Sequence, residues 1–152
     1  MSTCPPHRYT DPMPDAAELL KRAQALHTEG RIDEALETAR QALEAKPDYD
    51  EAWMYFGTTL ITRKLVFPDG LAALERAAAL APDDPGVAYS LGWCYEFVAY
   101  RLEKQATKPY RDPLELYRLA AERLRHCIAL NPEQGLIDDA QDLLDSIEAR
   151  LE

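Results

Sequence analysis

The chain has 152 residues, 47% of them hydrophobic, and carries 17 lysines and arginines against 27 aspartates and glutamates, a formal net charge of −10. A chain of this length buries roughly 70% of its unfolded surface as one domain, so it needs neither a disulfide nor a metal for stability, and its acidic surface repels phosphate backbones, which argues against a nucleic-acid partner. The opening MSTCPPHRYTDPMP lacks a basic region followed by an apolar run, and the longest apolar stretch, residues 86–100, is only 15 residues long and contains Glu96; neither a secretory leader nor membrane insertion is expected, and the protein reads as cytoplasmic.

In chain order, residues 1–14 hold four prolines and read as an irregular arm. Asp15 and Glu18 have the spacing of a capping box and open a helix over 16–29, followed by the turn Glu29-Gly30-Arg31. Asp33 is the expected N-cap of a helix over 33–45, and Asp48 with Glu51 forms a second capping-box pattern ahead of a helix over 50–63. The turn Lys64 to Asp69 leads into a helix over 70–80 with Asp69 as its cap. Pro85 and Pro113 each follow an aspartate and suit the first position of helices over 85–104 and 113–130. A last helix over 135–151 has Leu136, Ala140, Leu143, Ile147 and Leu151 on one stripe, with Asp138, Asp139, Asp142, Asp145 and Glu148 mostly opposite. The chain therefore reads as all-α.

A proline recurs at the end of three alanine-rich helices, at Pro47, Pro82 and Pro132, in the segments EALETARQALEAKPD, GLAALERAAALAPDD and AAERLRHCIALNPEQ. The first two intervals differ: 35 residues separate Pro47 from Pro82, and 50 separate Pro82 from Pro132, so the third unit is enlarged. The first halves match as well, with Trp53, Phe56-Gly57 and Leu60 in the second unit, Ala88, Leu91-Gly92 and Tyr95 in the third, and Leu19, Arg22-Ala23 and Leu26 in the first. This pattern resembles the tetratricopeptide repeat family, whose period is about 34 residues. The glycine or alanine stands where two helices of a hairpin approach too closely for a larger side chain. The resemblance implies an αα superhelix of three helical hairpins, repeats about 16–49, 50–84 and 85–133, in a single domain over 15–152, with the helix at about 135–151 capping the exposed end.

Chemistry-bearing constellations are sparse. Cys4 and His7 have C-x-x-H spacing and His126 adjoins Cys127, but zinc needs four converging ligands; no metal or cofactor is expected. Cys94 and Cys127 fall on inward faces and read as reduced core residues. No phosphate-cradling loop, serine elbow or H-E-x-x-H is present in the sequence, and an enzyme is not expected.

Binding remains. At about 100° per residue, Ala88, Leu91, Tyr95, Val98 and Leu102 form one stripe, while Tyr89, Trp93 and Tyr100, flanked by Glu96 and Phe97, face the opposite way. The resemblance places first helices along a concave groove, lined here by Leu20, Gln24 and His27, then Met54, Thr58 and Ile61, then Tyr89, Trp93, Glu96 and Tyr100. The family's chaperone-tail clamp needs basic residues where this chain has Leu20, Gln24, Tyr55, Gly86 and Ser90, so that function is not expected. Arg101, Lys104, Lys108 and Arg111 gather around the enlarged hairpin tip as a solvated loop or a docking site for an acidic surface. Two functions follow: an adaptor or scaffold that binds a protein or peptide segment in an apolar, aromatic groove, or a structural subunit whose surfaces are buried in a homo-oligomer or larger complex.

Overall fold

The computed structural model of the protein describes residues 14–152. The expected arm lies, but for Pro14, outside the described residues, as do Cys4 and His7. Among the described residues there are seven α-helices and no strand: α1 Ala16–Thr28, α2 Ile32–Ala45, α3 Asp50–Arg63, α4 Phe67–Leu80, α5 Pro85–Lys104, α6 Pro113–Ala129 and α7 Gln134–Leu151. They fall into two compact units, one ending at Pro47 and one running from Asp48 to Glu152.

In the first unit α1 packs against α2. The capping box forms as expected: the Glu18 amide donates to Asp15 Oδ1 at 2.8 Å, and the Asp15 amide donates to Glu18 Oε1 at 3.5 Å. Ala23, Ala35, Ala39 and Ala42 are fully buried, and such small side chains allow the two helix axes to lie close together. The turn uses Gly30 at φ 82°, a left-handed conformation that glycine adopts at no steric cost. Asp33 is not the N-cap of α2. Arg31 occupies that position, and its guanidinium reaches forward to Glu34 at 2.6 Å and back to Glu29 at 3.3 Å.

The second unit is organised around α5, which touches α3, α4, α6 and α7. The hairpin of α3 and α4 depends on two facing glycines. A Cβ on Gly57 would lie 2.7 Å from the Gly70 carbonyl oxygen, and one on Gly70 would lie 2.5 Å from Ile61 Cγ1, so neither position admits a side chain without separating the helices. Two expected caps of this unit do not form. Tyr49 takes the N-cap position of α3, which leaves Asp48 one residue too early to cap it. The helix expected to begin after Asp69 begins at Phe67 instead, with Val66 at the cap. Pro68 does not oppose this earlier start, because amides in the first turn have no intrahelical acceptor to lose.

Asp84 and Asp112 cap α5 and α6, accepting from the Gly86 amide at 2.8 Å and the Leu114 amide at 3.0 Å, each followed by proline at the first helical position. Part of the enlargement is helix, since α5 has 20 residues and α6 has 17 against 14 in α3 and in α4, while residues 105–112 between α5 and α6 are not helical. At 1.5 Å per residue α5 exceeds α3 in length by about 9 Å. Leu102, Leu116 and Tyr117 are buried within this extension. The last helix, α7, lies against α6 and α5, with Ala140, Leu144 and Ile147 buried and Leu136, Leu143 and Leu151 at the edge of the core. The sequence stripe had Leu143 in place of Leu144. Arg125 on α6 pairs with Glu148 on α7 at 2.7 Å, and His126 Nε2 lies 2.7 Å from the Pro82 carbonyl oxygen, tying α6 to the turn between α4 and α5.

Candidate functional site

The aromatic side of α5 is built on a helix whose opposite side is committed to the core. Leu91, Tyr95, Val98 and Leu102 are buried, and Gly92 sits against Leu124 of α6, where a Cβ would come within 3.0 Å of Leu124 Cγ. On the other side Tyr89, Trp93, Glu96 and Phe97 are half-buried and Tyr100 is 41% exposed. Trp93 and Phe97, one turn apart, stack with ring centroids 5.4 Å apart and an interplanar angle of 22°. Rings braced in this way present large apolar area with little freedom left to lose.

Between α3 and α5 a slot of about 140 Å³ opens beside these rings, lined by Thr58 of α3 and by Tyr89, Ser90, Trp93 and Cys94 of α5. Its lining combines the hydroxyls of Thr58, Tyr89 and Ser90, the rings of Tyr89 and Trp93, and the thiol of Cys94. Cys94 has no exposure, and burial pushes its thiol up to about 12, with a hydrogen bond to Thr58 opposing the rise. It is therefore a packing residue rather than a nucleophile. Burial, and after it the charge of Asp139 on α7, raises the Tyr89 hydroxyl above the ordinary tyrosine range. Glu96 is raised by burial; Arg150 opposes that rise and Glu103 adds to it.

The structure brings Thr58, Tyr89 and Trp93 of the expected groove to one slot and continues the same α5 face through Glu96 to Tyr100. Met54 is half-buried and packs against the core. Ile61, with 0% exposure, does not line a surface; it fills the space against Gly70. Leu20 is likewise buried, at 5% exposure, while His27 stands half-buried in the last turn of α1; both belong to the first unit.

The basic tip is less free than its sequence suggests. The Arg111 guanidinium turns inward, 2.9 Å from Glu115, 3.6 Å from Glu75 and over the Tyr95 ring, whose hydroxyl donates to Glu75. Arg101 lies over Phe97 at 5.3 Å and Lys104 over Tyr100 at 5.0 Å, so these two cations extend the aromatic face instead of forming a separate loop site. Of these four, Lys108 is exposed with no ring or carboxylate against it among the described residues. One residue missed in the sequence completes this end: Arg150 of α7 lies 5.4 Å over Tyr100 and 5.3 Å over Tyr117, and donates to Glu103 at 3.1 Å. Its place in the last turn of an otherwise acidic helix is the only signal the sequence holds.

A second cleft of about 310 Å³ lies on the other flank of α5, lined by Glu75, Ala78, Ala79, Leu91, Tyr95, Leu119, Glu122 and Arg123. Of its two carboxylates, Glu75 is already taken by Tyr95 and Arg111. Among the described residues no three histidines, cysteines, aspartates or glutamates converge on a metal position, and no helix is long and apolar enough to cross a membrane.

Residues 16–59, which span α1, α2 and most of α3, match the family model of the tetratricopeptide repeat.

Proposed function

We propose, from the premise that this chain carries a tetratricopeptide repeat at residues 16–59, that it is a non-catalytic adaptor holding a segment of a protein partner on the aromatic face of α5. Tetratricopeptide repeats mediate protein–protein interaction, and an all-helical chain agrees with such a module. The observation that supports the specific surface is the division of α5. Leu91, Tyr95 and Val98 supply its packing, and Tyr89, Trp93 and Tyr100 remain reachable on the opposite side beside a slot of side-chain size. Aromatic residues that bury on association without first needing to be ordered are the ones that anchor interfaces.

Trp93→Ala tests this. Against a partner that co-purifies with the wild-type chain from its native host, the substitution should weaken binding by about 2 kcal/mol or more while the helical circular dichroism is retained. Undiminished partner binding by the variant refutes the assignment. An assembly subunit is the second reading, supported by Tyr100, Tyr110 and Leu114, exposed by 41%, 45% and 44% around the overhang. Sedimentation separates the two, since a free adaptor runs as a monomer and a self-assembling subunit as a concentration-dependent oligomer.

A further inference from the structure

Helix α7 lies against α5. Arg150 lies over Tyr100, and Asp139 stands 11 residues before Arg150 on α7 just as Tyr89 stands 11 residues before Tyr100 on α5. A step of 11 residues returns to nearly the same side of a helix, so Asp139 and Arg150 mark two ends of one wall along the aromatic face. The charges along it are ordered. At the Tyr89 end stands the exposed carboxylate of Asp139, and midway stands Glu96, half-buried. At the far end three cations, Arg101, Lys104 and Arg150, gather over Phe97 and Tyr100, and they outnumber the carboxylate of Glu103, which accepts from Arg150 at 3.1 Å. The slot beside Thr58, Ser90 and Trp93 opens near the acidic end.

Resting on the aromatic face as the binding surface, the geometry points to a partner segment of ordered charge: a short extended peptide with a basic residue followed by an apolar anchor at one end and acidic residues at the other. Its basic residue would meet Asp139, its anchor would enter the slot, and its carboxylates would meet Arg101, Lys104 and Arg150. Between the two ends the helices cover about 16 Å, which an extended chain spans in about five residues. A uniformly acidic segment would leave Asp139 and Glu96 opposed by like charge. A uniformly basic one would face the three cations. Such rim charges select among partners more than they add affinity.

Three acetylated, amidated seven-residue peptides test the charge order. Each has leucine at its second position and small neutral residues at its third to fifth. The dipolar peptide has lysine first and glutamate sixth and seventh; the others have lysine, or glutamate, at all three of those places. Titrated into the full chain at low salt and followed by the Trp93 indole resonance, the dipolar peptide should bind about three- to tenfold more tightly than either of the others. Arg101→Glu with Lys104→Glu, at exposed positions, should transfer the preference to the all-lysine peptide, and Asp139→Lys should transfer it to the all-glutamate peptide. Equal binding of the three, tightest binding of a single-sign peptide to the wild type, an unchanged order in the reversed variants, or no binding at all would each overturn the charge order. Binding that persists at full strength in Trp93→Ala would instead overturn the aromatic face itself.

Discussion

Replacing Gly57 by alanine should destabilise the second unit, although the same exchange in an unobstructed helix stabilises it. Alanine is favoured over glycine by about 1 kcal/mol in a helix interior. Against that gain, the new methyl would stand 2.7 Å from the Gly70 carbonyl oxygen, 2.9 Å from Leu74 Cγ and 3.0 Å from Ala73 Cβ. The nearest of these is backbone, which cannot rotate away, and Leu74 is fully buried, so α3 and α4 must separate. Overpacking of this kind costs about 1–3 kcal/mol, occasionally more, and with a backbone obstacle we take the upper part of that range. The net loss is then about 2 kcal/mol, or roughly 4–8 °C in Tm for a chain of this size. Gly135→Ala in α7 is the control. Its Cβ meets nothing within 4 Å, so this exchange should raise Tm. The two glycines of the hairpin should also be non-additive, because once the helices part for one methyl the second meets less resistance. Thermal denaturation followed by circular dichroism decides the matter: a neutral or stabilising Gly57→Ala would show that α3 and α4 do not approach as closely as described.

Leu91→Ala should cost about 2–5 kcal/mol as a core truncation, while Trp93→Ala, half-buried and stacked on Phe97, should cost clearly less; comparable losses by urea denaturation would mean that the aromatic face is core. Because the folded-state pKa of Glu96 is raised, its ionisation subtracts stability as pH rises above the ordinary glutamate range. Glu96→Gln should therefore raise Tm at pH 7 and leave it unchanged at about pH 3.5, where the carboxyl is protonated in both states; the opposite dependence would contradict the burial of the carboxyl. Leu65 holds φ 57° and is 48% exposed, so Leu65→Gly should relieve left-handed strain and stabilise by about 0.5–1 kcal/mol in the same denaturation assay.

The elements were legible because their signals are local. Aspartate before proline placed the starts of α5 and α6, and Asp15 with Glu18 placed that of α1, since each cap is closed within three residues. The failures at Asp33, Asp48 and Asp69 have the same origin: an aspartate near a helix start can cap it, stand one residue before the cap as Asp48 does, or stand two or three after it as Asp33 and Asp69 do, and backbone hydrogen bonds, such as Val66 N–H to Leu60 O at 2.9 Å, settle which. The site was half legible. Helical spacing separated Trp93 from Leu91 correctly, but it could not say that Ile61 would be consumed by the gap at Gly70. Nor could it show where the cations go. Tyr95 meets Glu75 across 20 residues and Tyr117 meets Glu103 across 14. Arg111 and Arg150 close on those two pairs from the α5–α6 tip and from α7, and such partners share no sequence period.

Because α5 touches every other helix of its unit, its amides should be among the last there to exchange with solvent. Opening the helix requires releasing α3, α4, α6 and α7 together, which is global unfolding of that unit rather than a local fluctuation. Recognition surfaces on loops can be melted or ordered to switch binding off and on. The binding surface proposed on α5, carried by one of the most protected helices of its unit, would lack such control, and its occupancy would follow partner concentration and competition.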